Sequence, residues 1–275
     1  TACAEGSAEE KQLKEASELL GQLLLQDVER GVEGAKLREG VSADRVVSVH
    51  DPEMRHGHKS RAKRFDGHKD GVAVDPESQL IVAVVVLAGN APDNQGALEL
   101  VEQAEKNAEA EVEETVGDCA FGDGKTREGF AEAGRTLVAR VPGRPNRAFF
   151  PKEDFRIYLK EKVCVCPAGQ ECRKLVPAGK YVDKKGETHR LFAFRFDAAV
   201  CSACEKRPLC VSAGPGKGRT VALHPQERLI QEARAFQKSE AFVPYKRLRQ
   251  AAEHRIARLM QLGVRQARYF GRAKT

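Results

Sequence analysis

The sequence has no apolar run that could cross a membrane. Its longest, Leu80 to Ala88, has the length of a strand, whereas a membrane-spanning helix needs ~20 apolar residues. No secretory leader is visible, although a chain that opens with Thr1 and not with Met is expected to lack its true N-terminus. The sequence also has no internal repeat and no low-complexity tract. These features argue against a membrane-spanning or repeat protein and favour a globular chain.

The length and composition are those of a globular protein with a basic C-terminal segment. The 275 residues suffice for one large domain or two small ones, and 41% of them are hydrophobic. The net charge is +6, yet the segment from Lys217 to Thr275 has 14 Lys and Arg against 4 Asp and Glu, a net charge of +10. The other 216 residues therefore carry a net charge of −4. This distribution indicates either a solvated helical face or a nucleic-acid-binding surface confined to the C-terminal segment.

Cysteine is concentrated in one stretch of the chain. Six of the eight cysteines lie between positions 164 and 210, which is too dense for ordinary core cysteines. They are Cys164, Cys166, Cys172, Cys201, Cys204 and Cys210. Clustered cysteines without a secretory leader favour a reducing compartment and metal ligation over disulfides. We therefore expect a cytoplasmic protein with a metal-binding module.

The cysteine spacing predicts a structural zinc site. Zinc takes four thiolate or imidazole ligands in a tetrahedron, commonly from short knuckles of two cysteines. Cys201-Ser-Ala-Cys204 is one such knuckle, and Cys166-Pro-Ala-Gly169 has the composition of a turn that presents a thiolate. The predicted ligands are Cys166, Cys201, Cys204 and Cys210, with Cys164 and Cys172 as further donors and His189 as a substitute ligand. Such a site is closed and structural, since the sequence shows no general base beside it.

Outside the cysteine-rich stretch, apolar periodicity predicts strands that alternate with helices. The predicted elements are a helix over 8–30, strands over 45–50, 71–75, 79–88, 113–118 and 135–141, and helices over 94–110, 125–132, 225–238 and 243–262. A basic loop is predicted at 55–69. The fold class is therefore α/β, a mixed sheet flanked by helices and interrupted by a small zinc-binding insertion. The predicted segments are a helical N-terminal segment (1–44), the first part of the sheet domain (45–142), the cysteine-rich insertion (143–222) and C-terminal helices that complete the domain (223–275).

Two acidic residues stand where they could carry chemistry. Asp118 ends a predicted strand and opens a loop, and α/β sheets place functional groups at such strand ends. The plainer reading is a turn or a helix cap, for which Asp123 before Gly124 is the better candidate. Glu253 shares one helical face with Arg249, four residues earlier. The plainer reading there is an exposed ion pair worth ~0.3–0.5 kcal/mol.

Several blocks of the sequence together resemble DDE-type insertion-sequence transposases of bacteria. The blocks are Asp51-Pro-Glu-Met-Arg55, Gly67-His-Lys69, Ala91-Pro-Asp-Asn94, Asp118-Cys-Ala-Phe-Gly122, the cysteine pattern from Cys166 to Cys210, and the helix from Tyr245 to Glu253. Their order and spacing over residues 45–275 carry the resemblance. The sequence departs from the family pattern at Phe121, where Tyr is usual, at Met260, where Lys is usual, and in the spacing of Tyr245 from Arg249.

The resemblance implies an RNase H-like domain that performs phosphoryl transfer on DNA. Its catalytic carboxylates would be Asp118, Glu253 and Asp51, and they would hold two Mg²⁺ (or Mn²⁺) ions ~3.5–4 Å apart. The implied phosphate contacts are Lys246, Arg247, Arg249, Arg255 and Arg258. The implied partners are double-stranded DNA, as transposon ends and as target, and a second copy of the chain in a homodimer. The implied location is the nucleoid within the cytoplasm.

The sequence alone does not identify the first of the three catalytic carboxylates, nor does it decide whether the chain is active. Asp51 is the best candidate within the sequence, but the subgroup resembled tends to carry its first Asp in an earlier strand. That pattern favours a fragment without catalytic activity. Three hypotheses therefore stand: an active transposase, an inactive DNA-binding remnant of one, and a zinc-stapled module that binds RNA or protein.

Overall fold

The computed structural model of the chain describes residues 8–31, 34–40, 42–60, 62–143, 148–183, 186–214 and 216–274. The chain divides into two compact units, one made of Thr1–Val112 and Arg247–Thr275 and the other of Glu113–Lys246. None of the helices in the described part of the chain has the length and apolar character of a bilayer span.

The chain is a mixture of helices and short strands. In chain order the elements are α1 (Ala8–Leu25), β1 (Val28–Gly31), β2 (Gly34–Leu37), β3 (Arg55–His58), β4 (Arg64–Val74), β5 (Ile81–Ala88), α2 (Ala97–Ala108), β6 (Glu114–Gly117), α3 (Gly124–Glu132), β7 (Thr136–Ala139), β8 (Arg156–Tyr158), β9 (Val163–Val165), β10 (Glu171–Cys172), β11 (Leu175–Val182), β12 (Thr188–Arg195), α4 (Ala198–Ser202), β13 (Thr220–Ala222), α5 (Glu227–Lys238) and α6 (Val243–Gln261). The predicted helices and the predicted hairpin of strands at 71–88 are confirmed, with ends shifted by a few residues.

The first unit is built on an antiparallel sheet in which β4 lies between β3 and β5. Alternate residues of β5 point to one face, so that Val85 and Leu87 are buried while Val84 is exposed. Helix α2 buries Val101 and Ala104 on its apolar side. The period of two in β5 and of 3.6 in α2 explains why both elements were predictable from sequence.

Two predictions in this unit are wrong. Residues 45–50 form no strand, because the Gln26 side chain bonds both backbone groups of Val46: its amide oxygen accepts from the Val46 N–H at 3.0 Å and its amide nitrogen donates to the Val46 carbonyl at 3.3 Å. Residues 55–69 are not a loop. Arg55 pairs with Gly67, and His58 with Arg64, which makes β3 and the start of β4 a hairpin.

The second unit contains a parallel strand pair and two small antiparallel sheets. Strand β6 runs parallel to β7, and α3 lies between them in the chain. The sheets are β8–β9–β10 and β11–β12–β13. One core serves the cysteine-rich part and contains the buried residues Phe155, Cys164, Cys172, Phe194, Phe196 and Val221. Short strands around a small core thus make up the cysteine-rich part of this unit.

The chain is thus a mixed α/β protein, as the sequence predicted. Within the described residues the strands belong to five separate hydrogen-bonded sheets. Their combination into one RNase H-like sheet, and the segment boundaries at 45–142, 143–222 and 223–275, stay predictions.

Candidate functional site

Asp118 lies at the carboxyl end of β6, where that strand leaves its parallel partner β7. It caps a short 3-10 helix over Cys119–Gly122, and its Oδ1 accepts a hydrogen bond from the Ala120 N–H at 2.7 Å. The side chain is exposed. The capping bond therefore fixes the carboxylate while leaving it open to a ligand, so the two readings of Asp118 from sequence are compatible.

The loop that carries Asp118 is held tightly against the end of β7. A Cβ atom on Gly122 would lie 1.8 Å from the Arg140 carbonyl oxygen, so only glycine fits there. The buried Arg127 donates from Nε to the Gly122 carbonyl at 3.0 Å and from Nη2 to the Ala139 carbonyl. Sequence reasoning missed Arg127, because an arginine in a short helix ordinarily points to solvent.

Asp123 has the capping role that the sequence predicted. Its Oδ1 accepts hydrogen bonds from the backbone N–H groups of Lys125, at 2.9 Å, and Thr126, at 3.2 Å, at the start of α3. A carboxylate in this position satisfies N–H groups that the helix cannot satisfy itself and complements its dipole.

Asp51 is buried and engaged, and it does not end a strand. Only 1% of the residue is exposed. Its Oδ2 accepts a hydrogen bond from the Gly271 N–H at 2.9 Å and contacts His68 Nε2 at 3.0 Å, and its Oδ1 accepts from the Glu53 N–H at 3.1 Å. Burial acts to raise the pKa of this carboxyl, but the bonds from Gly271 and His68 outweigh it and lower the pKa. As placed, neither oxygen is open to a metal ion.

The same turn anchors the end of the chain. Glu53 accepts from the Arg272 backbone N–H at 2.8 Å and from Arg272 Nε at 3.1 Å, and the rings of His50 and Phe270 stack with centroids 6.0 Å apart. These partners are more than 200 residues apart in sequence, so no local pattern could have revealed them.

Removal of the Asp51 carboxylate should destabilise the first unit. We expect Asp51→Ala to lower the free energy of unfolding by about 2 kcal/mol at pH 7, because a buried acceptor of three hydrogen bonds is lost. A lowered pKa means that the folded state favours the charged carboxylate. Its contribution is therefore present above the ordinary carboxyl pKa and is lost as pH falls through the folded-state pKa. Urea unfolding at pH 7 and under acid conditions measures both effects.

The control for this prediction is Glu53→Ala, which removes an exposed partner of Arg272 from the same turn. We expect a loss of less than about 1 kcal/mol from it. Equal losses from the two variants, or an Asp51→Ala loss that does not shrink in acid, would contradict the role given to Asp51.

Glu253 lies on α6 and forms an ion pair with Arg249, with Nη2 and Oε1 2.8 Å apart. Both side chains are substantially exposed, at 54% for Glu253 and 39% for Arg249. The plainer reading of the sequence, an i,i+4 pair, is thus present in the structure. It does not exclude a ligand role, because an exposed carboxylate can exchange one partner for another. No hydrogen bond or ion pair among the described residues joins Glu253 to Asp51. Asp118 belongs to the other unit.

The predicted DNA-contacting side chains on α6 differ in whether they already have a partner within the protein. Arg255 donates to the Gln79 side chain at 3.5 Å, and Arg258 to the Gln261 side chain at 3.1 Å. Lys246 and Arg247 are exposed and have no ion-pair partner among the described residues. These two are the cations on α6 that are most available to a phosphate.

The four predicted zinc ligands line one pocket in the second unit. Cys166, Cys201, Cys204 and Cys210 all face it, and Phe150, Phe196, Arg207 and Arg219 line it with them. Cys166 opens a turn that Gly169, with φ of 83°, closes by donating to the Cys166 carbonyl at 2.9 Å. Burial raises the pKa of the Cys210 thiol, and the nearby Cys201, Cys166 and Cys204 thiols raise it further, although Arg219 opposes them.

Arg219 ties this pocket together, and sequence reasoning missed it. Its backbone N–H donates to Cys201 Sγ at 3.5 Å, which is the kind of bond that a metal-bound thiolate accepts. Its guanidinium donates to the carbonyls of Cys210, at 2.8 Å, and Phe150, at 2.9 Å, and lies over the Phe155 ring at 5.1 Å. The fixed arginine holds the Cys201 and Cys210 segments together.

Cys164 and Cys172 are core residues in this structure. They face each other across β9 and β10, and both are buried in the apolar core. Burial, with the neighbouring Cys172 thiol, raises the pKa of the Cys164 thiol to about 12. A thiol with so high a pKa behaves as a small apolar side chain.

The four pocket cysteines would have to close inward on a zinc ion. Ligand sulfurs ~2.3 Å from zinc in a tetrahedron lie about 3.8 Å apart.

A second group of possible metal ligands lies on the β11–β12 hairpin. Among the described residues, the group of three with ligand atoms all within 4.8 Å of one another is Asp183, Glu187 and His189. His189 contacts Asp183 at 2.6 Å and stacks on Tyr181, so it is committed to this group and does not line the cysteine pocket.

The chain belongs to the transposase DDE domain family. The profile described as "Transposase DDE domain" matches residues 38–275, which confirms the resemblance to DDE-type transposases. The chain is therefore a transposase by family, with DNA as the general substrate and divalent metal ions as the general cofactor of its class. No curated protein and no solved structure gives a significant match to the chain.

Proposed function

We propose that the chain is a DNA transposase that cleaves phosphodiester bonds at the ends of an insertion sequence and joins them to target DNA. The observation that carries the proposal is the position of Asp118. It is an exposed carboxylate at the end of a parallel strand, within a family match that covers most of the chain. Mg²⁺-dependent cleavage of duplex DNA tests the proposal, and Asp118 is the residue on which cleavage should depend most.

The chemistry proposed for the site is in-line displacement at phosphorus. Mg²⁺ or Mn²⁺ bound by the carboxylates would polarise the attacking water or DNA 3′-hydroxyl and stabilise the leaving oxygen. Asp118 supplies an oxygen that its cap bond leaves open. Glu253 can supply another if the Arg249 ion pair opens. The proposal requires these two carboxylates to converge.

Whether the chain is an active transposase or an inactive remnant depends on a third metal-binding carboxylate, for which Asp51 is the candidate. Asp51, as placed, is fully engaged by Gly271, His68 and Glu53, so it fits a structural role better than a ligand role. This placement favours the alternative of a DNA-binding remnant without turnover. Strong Mg²⁺-dependent cleavage that is abolished by Asp51→Asn would exclude that alternative.

The cysteine pocket is proposed to hold one structural zinc ion through Cys166, Cys201, Cys204 and Cys210. The support is that these four thiols, and neither of the buried Cys164 and Cys172, line one pocket with Arg219 behind it. The zinc would cross-link the segments that carry the four cysteines in the second unit and would take no part in catalysis.

DNA binding through α6 should depend strongly on salt. We expect Lys246→Gln/Arg247→Gln to weaken duplex binding and to reduce the slope of log affinity against log salt by about 1.8, because each phosphate contact contributes ~0.9. Fluorescence anisotropy with a labelled duplex at several salt concentrations measures the slope. The matched control, Lys11→Gln/Lys14→Gln on α1, removes two exposed charges elsewhere and should leave the slope unchanged. Equal slopes in both variants would rule out α6 as the contact.

A further inference from the structure

The β11–β12 hairpin presents a cationic and apolar face that the transposase chemistry does not use. In its register Lys180 lies directly opposite Arg190, and Val182 lies opposite Thr188. Both cations are exposed, and neither has an ion-pair or hydrogen-bond partner among the described residues. Like charges placed directly across a strand pair repel each other, so this pair costs stability unless an anion joins it.

The same face carries exposed apolar side chains. Phe192 is two residues from Arg190 on β12 and therefore on the same side of the sheet, and it is 42% exposed. Val182 on β11 is 56% exposed. The Phe192 backbone is fixed, because its carbonyl accepts from the Leu223 N–H at 2.9 Å beyond the end of β13. The aromatic ring is thus held outward by a rigid sheet.

The acidic residues of the hairpin lie on its other face. Tyr181 pairs with His189, one position along from the Lys180 and Arg190 pair, and so points to the opposite side. Asp183 and Glu187 gather with His189 there. Alternation along the strands therefore separates the Lys180 and Arg190 pair from Asp183 and Glu187.

We propose that this face of the hairpin is a second DNA-binding surface, in which Lys180 and Arg190 contact phosphates of duplex DNA and Phe192 packs against the sugar–phosphate edge of the groove. A two-stranded ribbon fits the major groove of a duplex, which is ≈ 12 Å wide. Charge complementarity selects the partner, since a polyanion relieves the repulsion of the cation pair. The choice of duplex DNA over another polyanion rests on the proposed function.

The first test is a charge variant with a matched control. Lys180→Gln/Arg190→Gln should weaken duplex binding by roughly tenfold at low salt and reduce the salt slope by about 1.8, for two lost phosphate contacts. The control, Arg156→Gln/Lys160→Gln, removes two exposed cations from the same unit and should leave binding unchanged. The hairpin variant should fold at least as stably as the wild-type chain, because a repulsive pair is removed.

The second test reads the surface directly. The chain has no tryptophan, so Phe192→Trp introduces a single reporter. Duplex DNA should change its fluorescence in a saturable, salt-sensitive way, whereas Tyr158→Trp, at a site that is 45% exposed in the same unit, should not respond. No response from either reporter while the chain binds DNA would overturn the inference.

The outcomes separate the two proposals. A wild-type chain that does not bind duplex DNA defeats the proposed function. Wild-type binding with a hairpin variant equal to its control defeats the hairpin surface alone. If single-stranded RNA or an acidic protein binds more tightly than duplex DNA, and only that binding is lost in the hairpin variant, the surface belongs to another partner and the inference is wrong.

Discussion

Loss of zinc should unfold the cysteine-rich part of the second unit. We expect one zinc ion per chain in reduced protein and almost none in Cys201→Ser/Cys204→Ser. Structural zinc binding to small modules is worth ~10–16 kcal/mol, which is as large as the whole stability of an ordinary domain. Burial, and after it the neighbouring Cys201, Cys166 and Cys204, raise the pKa of the Cys210 thiol, although Arg219 opposes them. A bound cation would favour the thiolate form that zinc requires. Elemental analysis gives the stoichiometry, and hydrogen exchange locates the unfolded segment.

Controls decide which cysteines are ligands. Cys119→Ser changes an exposed thiol outside the pocket and should keep full zinc content and stability. Cys164→Ser places a hydroxyl in the apolar core and should destabilise the protein, yet its folded fraction should still hold one zinc ion. Loss of zinc from folded Cys164→Ser would show that the ligand set is different. Absence of stoichiometric zinc from the wild-type chain would remove the metal site altogether.

Asp118→Asn should abolish metal-dependent DNA cleavage. Asparagine can still accept the hydrogen bond from the Ala120 N–H, so the cap and the loop are kept and only the charge is lost. A carboxylate ligand of a catalytic metal supplies several kcal/mol of transition-state stabilisation, and each 1.36 kcal/mol is tenfold in rate. We therefore expect a fall of about 10³-fold or more. Nicking of supercoiled plasmid DNA with Mg²⁺ or Mn²⁺, and with EDTA as a blank, measures it.

Asp123→Asn is the matched control for Asp118→Asn, because it removes the same charge five residues later and also keeps a helix cap. It should cleave DNA at close to the wild-type rate. If both variants lose activity together, the loop structure and not the Asp118 carboxylate is responsible. If the wild-type chain binds duplex DNA but never nicks it, the chain is the inactive remnant.

Local pattern was sufficient to predict most of the elements but few of the contacts that fix the site. Strand β5 and helix α2 were predictable because burial imposes their periods on the sequence. The segment 45–50 has an equally strand-like composition, yet the Gln26 side chain takes the Val46 backbone groups that a neighbouring strand would have taken. Nothing in the local sequence distinguishes these two outcomes.

In the candidate site, too, local features were predictable from the sequence and contacts made by folding were not. The four predicted thiols line one pocket. The closeness of Cys201 to Cys204 is a local property of their spacing, whereas the approach of Cys166 to them depends on the fold. The separation of Cys164 and Cys172 into the core depends on the pairing of β9 with β10, which spacing does not encode. Arg127 and Arg219 act on carbonyls brought near by folding, so their importance could be found only from the structure.

The bond between the Gly271 N–H and Asp51 spans 220 residues, and it sets an order of events during synthesis. The second unit is one continuous stretch, Glu113–Lys246, and all its residues leave the ribosome before the last segment of the first unit is made. Until Gly271 emerges, the turn at Asp51 lacks one of its hydrogen-bond donors. We therefore expect the second unit to be able to fold before the first unit is completed, although residues up to Val112 of the first unit are made earlier.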